Sequence, residues 1–138
     1  MRRLKTLRQR IEARIARKKG EDVFLTREFG DLSGERQVLR ALSSLVNDGK
    51  LIRLGYGVYG RAIVSRLSGE VLLYTPGGLS GAARQALDKL GVAWEPAEWE
   101  RAYNERRSTQ IPARPALKVK GRFSRRLSDG QTELTLER

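Results

Sequence analysis

The side chains of this chain best suited to chemistry are hydrogen-bond donors rather than nucleophiles. Arg36, Gln37, Arg40, Ser43, Ser44 and Asn47 recur within one short stretch. They are short or forked groups of the kind that pairs with base edges and phosphate oxygens. Interleaved with them are Val38, Leu39, Leu42, Leu45 and Val46, at i, i+1, i+4, i+7 and i+8. That spacing predicts a helix with one apolar and one polar face. Ser33 is expected to cap it, with Gly34 and Glu35 in its first turn, where a carboxylate suits the helix dipole. Gly49 is placed to end it in a left-handed conformation. The segments KLIRL and VYGRA then predict two strands paired across the Gly55-Tyr56-Gly57 turn, with Arg53, Tyr56 and Arg61 on that hairpin.

A recognition-type helix running into a basic hairpin predicts a winged helix-turn-helix, whose usual use is binding duplex DNA. In that arrangement Ser33, Arg36, Gln37, Arg40 and Ser44 would enter the major groove, where Arg reads guanine and Gln reads adenine by paired hydrogen bonds. Arg53, Tyr56 and Arg61, with an N-terminal cluster of Arg2, Arg3 and Lys5, would hold phosphates or enter a minor groove.

Other chemistries find little support. The 138 residues contain no cysteine and no histidine. Ser-His and Cys-His nucleophile pairs and Cys- or His-ligated zinc are therefore excluded, and no carboxylate, Lys, Tyr or Ser pair stands out by spacing. No catalytic residue, metal or cofactor is expected. Without cysteine there is no disulfide framework, which suits a reducing cytoplasm. No apolar run is long enough to cross a membrane, and the basic N-terminus lacks the apolar core of a secretory signal.

Charge supports the same reading. Lys and Arg number 28 against 16 Asp and Glu, a formal net charge of +12. Such an excess implies a polyanionic partner or an anionic membrane surface. Residues 1–66 hold 16 basic and 7 acidic side chains, net +9, whereas residues 67–138 hold 12 and 9, net +3. Residues 1–19 alone carry 9 basic and 1 acidic. The charge lies with the expected winged helix.

The elements that must position these groups follow from periodicity. Leu4, Leu7, Ile11 and Ile15 make one stripe of a first helix over Leu4–Lys18, ended by Gly20. Val23–Leu25 reads as a short strand. Thr26 would cap a short helix over Arg27–Asp31, with Phe29 and Leu32 inward. Leu7, Ile11, Ile15, Phe24, Phe29, Leu32, Val38, Leu39, Leu42, Leu45, Val46, Ile52 and Val58 look like a closed apolar set, so residues 1–66 are expected to fold by themselves.

From Leu67 the texture changes. Strands are expected at Val71–Tyr74 and Val92–Glu95, around a helix Gly81–Leu90 capped by Ser80. Pro96 would open another helix to about Arg107. Strands Leu117–Lys120, Arg122–Leu127 and Thr132–Leu136 follow, with the last hairpin turning at Asp129-Gly130. The fold class is therefore α+β: a winged helix (residues 1–66) followed by a small α+β interaction module (residues 67–138). The module is small enough to need packing on the winged helix or on a partner. Trp94, Trp99 and Tyr103 read as core. Arg122, Arg125 and Arg126 offer a second basic surface that would extend a DNA footprint.

Two glycine motifs compete with this scheme. Gly55, Gly57 and Gly60 match G-x-G-x-x-G, but the residues after them read as a strand, and the dinucleotide fingerprint needs a helix there. Residues 71–87 form a strand, a Gly-rich turn and a helix start without the Gly-Lys-Ser/Thr of a P-loop. Both read as turns.

The stretch VFLTREFGDLSGERQVLRALSSLVNDGKLIRLGYGVYGRA resembles the N-terminal winged helix of the abortive-infection type IV antitoxins, the AbiEi-like family of transcriptional regulators. STQIPARPALKVKGRFSRRLSDGQTELTLE resembles the segment that follows in a related branch, with its Ser-Thr-Gln-x-Pro block. The resemblance covers about Arg10 to Leu136. It implies a protein that represses its own operon by binding operator repeats in double-stranded DNA, as a monomer in solution or a dimer on DNA. It also implies a cognate nucleotidyltransferase-like toxin, neutralised without a stable complex. This chain stops soon after its last expected strand, where family members usually continue. Three readings stand beside it: an RNA-binding or ribonucleoprotein adaptor using the same basic surface, a plasmid or phage regulator with no toxin partner, and an enzyme acting on nucleic acid, for which the acidic residues are too scattered to hold a metal.

Overall fold

A computed structural model describes residues 5–97, 116–120, 123, 126–130 and 132–137. The architecture is α+β, with three α-helices and two sheets among the described residues.

Helix α1 (Leu7–Arg17) starts later than its apolar stripe suggests, because Thr6 supplies a better stop than Leu4. The Thr6 hydroxyl accepts from the Gln9 N–H at 3.1 Å, while the Gln9 side chain accepts from the Thr6 N–H at 2.9 Å. Such a reciprocal box satisfies two amide donors that the first helical turn leaves free. Its C-cap is Lys18 rather than Gly20. Strand β1 (Val23–Leu25) is buried throughout. The short helix expected over Arg27–Asp31 is a 3-10 segment, Thr26–Phe29, and Thr26 lies inside it rather than capping it. Its first turn is held instead by Glu28, whose Oε2 accepts from the Leu25 N–H at 2.6 Å. Helix α2 (Glu35–Asn47) is capped by Gly34, without a side-chain hydrogen bond, so Ser33 is not its cap. Gly49, at φ 75°, ends it as expected.

Strands β2 (Leu51–Gly55) and β3 (Val58–Val64) pair antiparallel across Tyr56-Gly57, and β1 adds to the other edge of β3. The G-x-G-x-x-G glycines have separate structural reasons. Gly57 adopts φ 68° in the turn. A Cβ on Gly55 would stand 2.6 Å from the Arg126 carbonyl, and one on Gly60 2.7 Å from Leu73 Cδ1. No helix follows them.

Expectation and structure part at residue 66. The division into units 1–66 and 67–138 would cut the turn of a β-hairpin. Strand β4 (Val71–Leu73) pairs with β3, Ala62 facing Leu73 and Val64 facing Val71. Helix α3 (Gly78–Leu90) then packs against β1. Its N-cap is Gly77 at φ 80°, not Ser80. Two apolar clusters result. The first joins Ile11, Phe24, Phe29, Val38, Leu42 and Leu45 between α1 and α2. The second joins Val23, Leu25, Ile52, Leu54 and Val58 to α3 and to Leu117, Phe123, Leu127 and Leu134 of the C-terminal region. Ile52 and Val58, expected to close the core of the first half, belong to this shared cluster. The two faces of one sheet explain it: side chains alternate, so a sheet with apolar residues on both faces needs cover on both.

The second sheet has order β5 (Trp94–Pro96), β6 (Ala116–Val119), β7 (Thr135–Glu137), with β6 and β7 parallel. Pro96 ends β5 instead of opening a helix. The helix expected beyond it, with Trp99 and Tyr103, lies outside the described residues. Trp94 is half-buried, its indole N–H donating to Asp88 at 2.7 Å under the Arg84 guanidinium. Of the strand expected over Arg122–Leu127, only Phe123, Arg126 and Leu127 are described, and they carry no strand. Asp129-Gly130 does turn the chain, with a bridge between Ser128 and Glu133. This segment returns to β2, where the Ser128 N–H donates to the Leu54 carbonyl at 2.8 Å.

Glu28 joins three parts of the fold. Its carboxylate meets Lys18 Nζ at 2.7 Å and Lys89 Nζ at 2.9 Å, besides the Leu25 amide, and Lys89 also donates to the Val23 carbonyl. Burial pushes the Glu28 carboxyl up, but Lys18, the Leu25 amide and Lys89 together outweigh it and hold it below the usual glutamate range. A carboxyl with a depressed folded-state pKa stabilises the fold above its unfolded pKa, and that contribution is lost as pH falls through the folded value. Glu28→Gln should therefore cost about 2 kcal/mol at neutral pH, the worth of a charge-assisted bond. In urea titrations the gap to the wild type should shrink as pH drops below the ordinary glutamate pKa; a gap independent of pH would show that the charge is not what matters.

Candidate nucleic-acid interface

Helix α2 buries Val38, Ala41, Leu42 and Leu45 and turns the opposite side to solvent. Arg36, Arg40, Ser43 and Asn47 are all exposed there. Their spacing of four, three and four residues puts them in one outward row. They line an open depression of about 500 Å³ together with Leu39. Among the described residues no carboxylate pairs with Arg36 or Arg40.

Neighbouring positions have other duties. Ser44 is half-buried, and its hydroxyl accepts from Arg8 Nη1 of α1 at 2.7 Å. Arg8 also binds Glu12 and Asp48. Ser44 thus serves α1 while it and Asp48 also border the depression that the row lines. Gln37 is exposed on that same flank, one residue off the row. Ser33 is half-buried at the start of the helix.

The hairpin stands across a groove of about 740 Å³ from α2, with Leu39 and Ser43 on one wall and Arg53, Tyr56 and Gly57 on the other. Tyr56 at the tip is 72% exposed. Arg53 is exposed, and among the described residues its side chain donates to the carbonyl of Gly55 at 3.4 Å. Arg61, placed on this surface by sequence, points inward instead. Its guanidinium donates to the carbonyls of Ile15, Lys18 and Glu21 at 2.8, 2.7 and 2.8 Å. It also pairs with Asp22 and lies 5.0 Å from the Phe24 ring centre. These carbonyls include those at the end of α1, where a cation is favoured. Arg61 ties α1 to β3, with its Nε–H and both Nη2 donors committed there.

A second cationic face lies on α1. Lys5, Arg10, Arg14 and Arg17 surround a shallow cleft that reaches Leu32, in the loop before α2. Arg14 is committed to Asp31 by two bonds of 2.6 and 2.8 Å and holds that carboxyl down at about 2. Lys5, Arg10 and Arg17 form no ion pair among the described residues. Arg2 and Arg3 lie outside the described residues, as do Arg122 and Arg125. Arg126 is exposed, with its backbone beside Gly55 of the hairpin, but its guanidinium is paired to Glu133 at 2.7 and 3.0 Å.

Ser43 and Asn47 are the residues the sequence choice passed over in favour of Gln37 and Ser44. The signal was present: both continue the four-three-four spacing from Arg36. No group of His, Cys, Asp or Glu is placed to hold a metal, and no helix is long and apolar enough to cross a membrane, among the described residues. No family model matches the chain, and neither curated proteins nor solved structures give a match.

Proposed function

We propose that this protein binds duplex DNA sequence-specifically as a winged helix, with α2 in the major groove and the β2–β3 hairpin against the backbone. The observation that carries the reading is the exposed row Arg36, Arg40, Ser43 and Asn47, whose arginines meet no carboxylate among the described residues and whose Ser43 also lines the groove that Arg53 and Tyr56 bound. In support, the order helix, strand, short helical turn, helix, hairpin agrees with what a winged helix would require, and the helix presents donors that can read purine edges. Regulation of transcription is the natural use of such reading. The antitoxin role, with an autorepressed operon and a nucleotidyltransferase-like toxin, is the finer form of this proposal and rests on the resemblance in the α2 and hairpin stretch and in the Ser108-Thr109-Gln110 block.

The test is selection of a preferred duplex from a random library, followed by anisotropy titrations on that duplex and on scrambled DNA. Arg40→Ala should cost about 1–3 kcal/mol on the selected site and much less on scrambled DNA, since a base contact carries sequence information. Arg53→Ala should weaken both about equally. Failure of the library to enrich any sequence would reject specific reading, and equal behaviour of the two variants would reject the division of roles.

A further inference from the structure

Outside the cationic faces, the described residues have one concentration of exposed apolar side chains. Ile63 and Val64 of β3, Val71 and Leu72 of β4, Leu67 at the turn and Tyr74 beyond it are all exposed, Leu67 fully and Tyr74 by 56%. Strands β3 and β4 run on past the three-stranded sheet as a two-stranded ribbon. Soluble chains normally guard such a ribbon with lysine, proline or an inward charge. From Ala62 to Thr75 there is none of these, and Arg66 and Glu70 are the sole charges.

The backbone of the ribbon is aligned for one further strand. Ser65 N–H donates to the Glu70 carbonyl and Tyr74 N–H to the Arg61 carbonyl, both at 2.8 Å. With Ile63 opposite Leu72, residues 70, 72 and 74 turn their peptide groups toward β3. Val71 and Leu73 therefore direct theirs outward. No hydrogen bond fills that edge among the described residues.

We propose that two copies of this chain pair through this edge, β4 to β4, about a two-fold axis at Leu72. In that register Val71 meets the partner's Leu73 and Leu73 the partner's Val71, which are the residues with outward peptide groups. Glu70 meets the partner's Tyr74, so no charge faces a like charge. A two-fold contact of this kind closes on itself. Charge selects the occupant. Each copy carries a formal +12, so two copies repel except where the surface is neutral, and the ribbon carries no net charge. A polyanion or acidic protein would be drawn to α1 and α2 instead, and gains no electrostatic attraction here. The pairing is independent of what α2 binds.

Sedimentation equilibrium of the full chain across the micromolar range tests this directly. The mass should rise with concentration from 15.6 kDa to twice that and stop. Added salt should strengthen the association by screening the like charges. Val71→Pro removes one outward N–H without touching the bonds to β3, and Leu72→Glu puts like charges on the axis. Each should weaken pairing at least about tenfold with the thermal transition retained. Because the chain has no cysteine, Leu72→Cys gives an independent reading. Facing residues of a non-hydrogen-bonded pair lie about 4.5 Å apart at Cα, within disulfide reach, so mild oxidation should yield a covalent dimer, whereas Arg17→Cys should not. A chain that stays at monomer mass, assembles beyond two copies, or cross-links equally at both positions would overturn the proposal.

Discussion

A fragment ending at Arg66 is expected to show no cooperative unfolding transition, although its sequence looks self-sufficient. In the whole chain Val23, Leu25, Ile52, Leu54 and Val58 are buried beneath α3 and the C-terminal segment. Removing that cover returns about five apolar side chains to water, each worth roughly 1.5–3 kcal/mol. The loss, on the order of 10 kcal/mol, is comparable with the entire stability of a typical domain. The cut also leaves β3 without β4 and removes Lys89, which neutralises Glu28 and satisfies the Val23 carbonyl. Circular dichroism melting of fragment 1–66 beside the full chain decides it. A sharp transition in the fragment would mean that the cluster between α1 and α2 suffices alone. DNA-binding tests should accordingly use the full chain.

The second large effect concerns salt. Affinity for duplex DNA should fall about a thousandfold between roughly 50 and 200 mM monovalent salt. This figure follows from about six phosphate contacts at a logarithmic slope near 0.9 each. The six are Lys5 just before α1, Arg10 and Arg17 on α1, Arg36 and Arg40 on α2, and Arg53 on the hairpin, the cations of these surfaces with no carboxylate partner among the described residues. Arg8, Arg14, Lys18 and Arg61 are engaged internally and should not enter the slope. Arg10→Ala and Arg17→Ala together should therefore flatten it by about 2, while Arg61→Ala should leave the slope intact and lower the melting temperature. A slope near zero would remove the electrostatic basis for nucleic-acid binding. A slope unchanged by the α1 pair would confine the contacts to α2 and the hairpin.

Much of the local architecture was legible in the sequence. Apolar spacing located α1, α2 and α3 to within a few residues, because a helix buries one face whatever it packs against. The positive-φ glycines at Gly49 and Gly57 marked a helix end and a hairpin turn. Capping was read less well: Ser33, Thr26 and Ser80 look like caps, yet Gly34, Leu25 and Gly77 occupy those positions. A hydroxyl is neutral between capping a helix and lying in its first turn until the path of the preceding loop is fixed.

Sequence by itself determined where α1, α2, α3 and the β2–β3 hairpin lie to within a few residues, which face of α2 is polar, and that positive charge concentrates toward the N-terminal half. These are properties of a residue and its neighbours within a few positions. Tertiary structure alone decided how each charge is spent. Arg61 and Arg53 are both hairpin arginines on one face of the ribbon, and only the carbonyls at the end of α1 draw Arg61 inward over Phe24 while Arg53 stays exposed. Likewise Ser44 and Ser43 are adjacent hydroxyls until Arg8 claims one of them. That residue 66 lies in the turn between β3 and β4 has the same origin. Charge and texture change there, but β3 continues through it into β4, and a sheet with two apolar faces must be covered on both. Which distant segment supplies that cover is set by side-chain packing across the whole chain, and local periodicity contains no record of it.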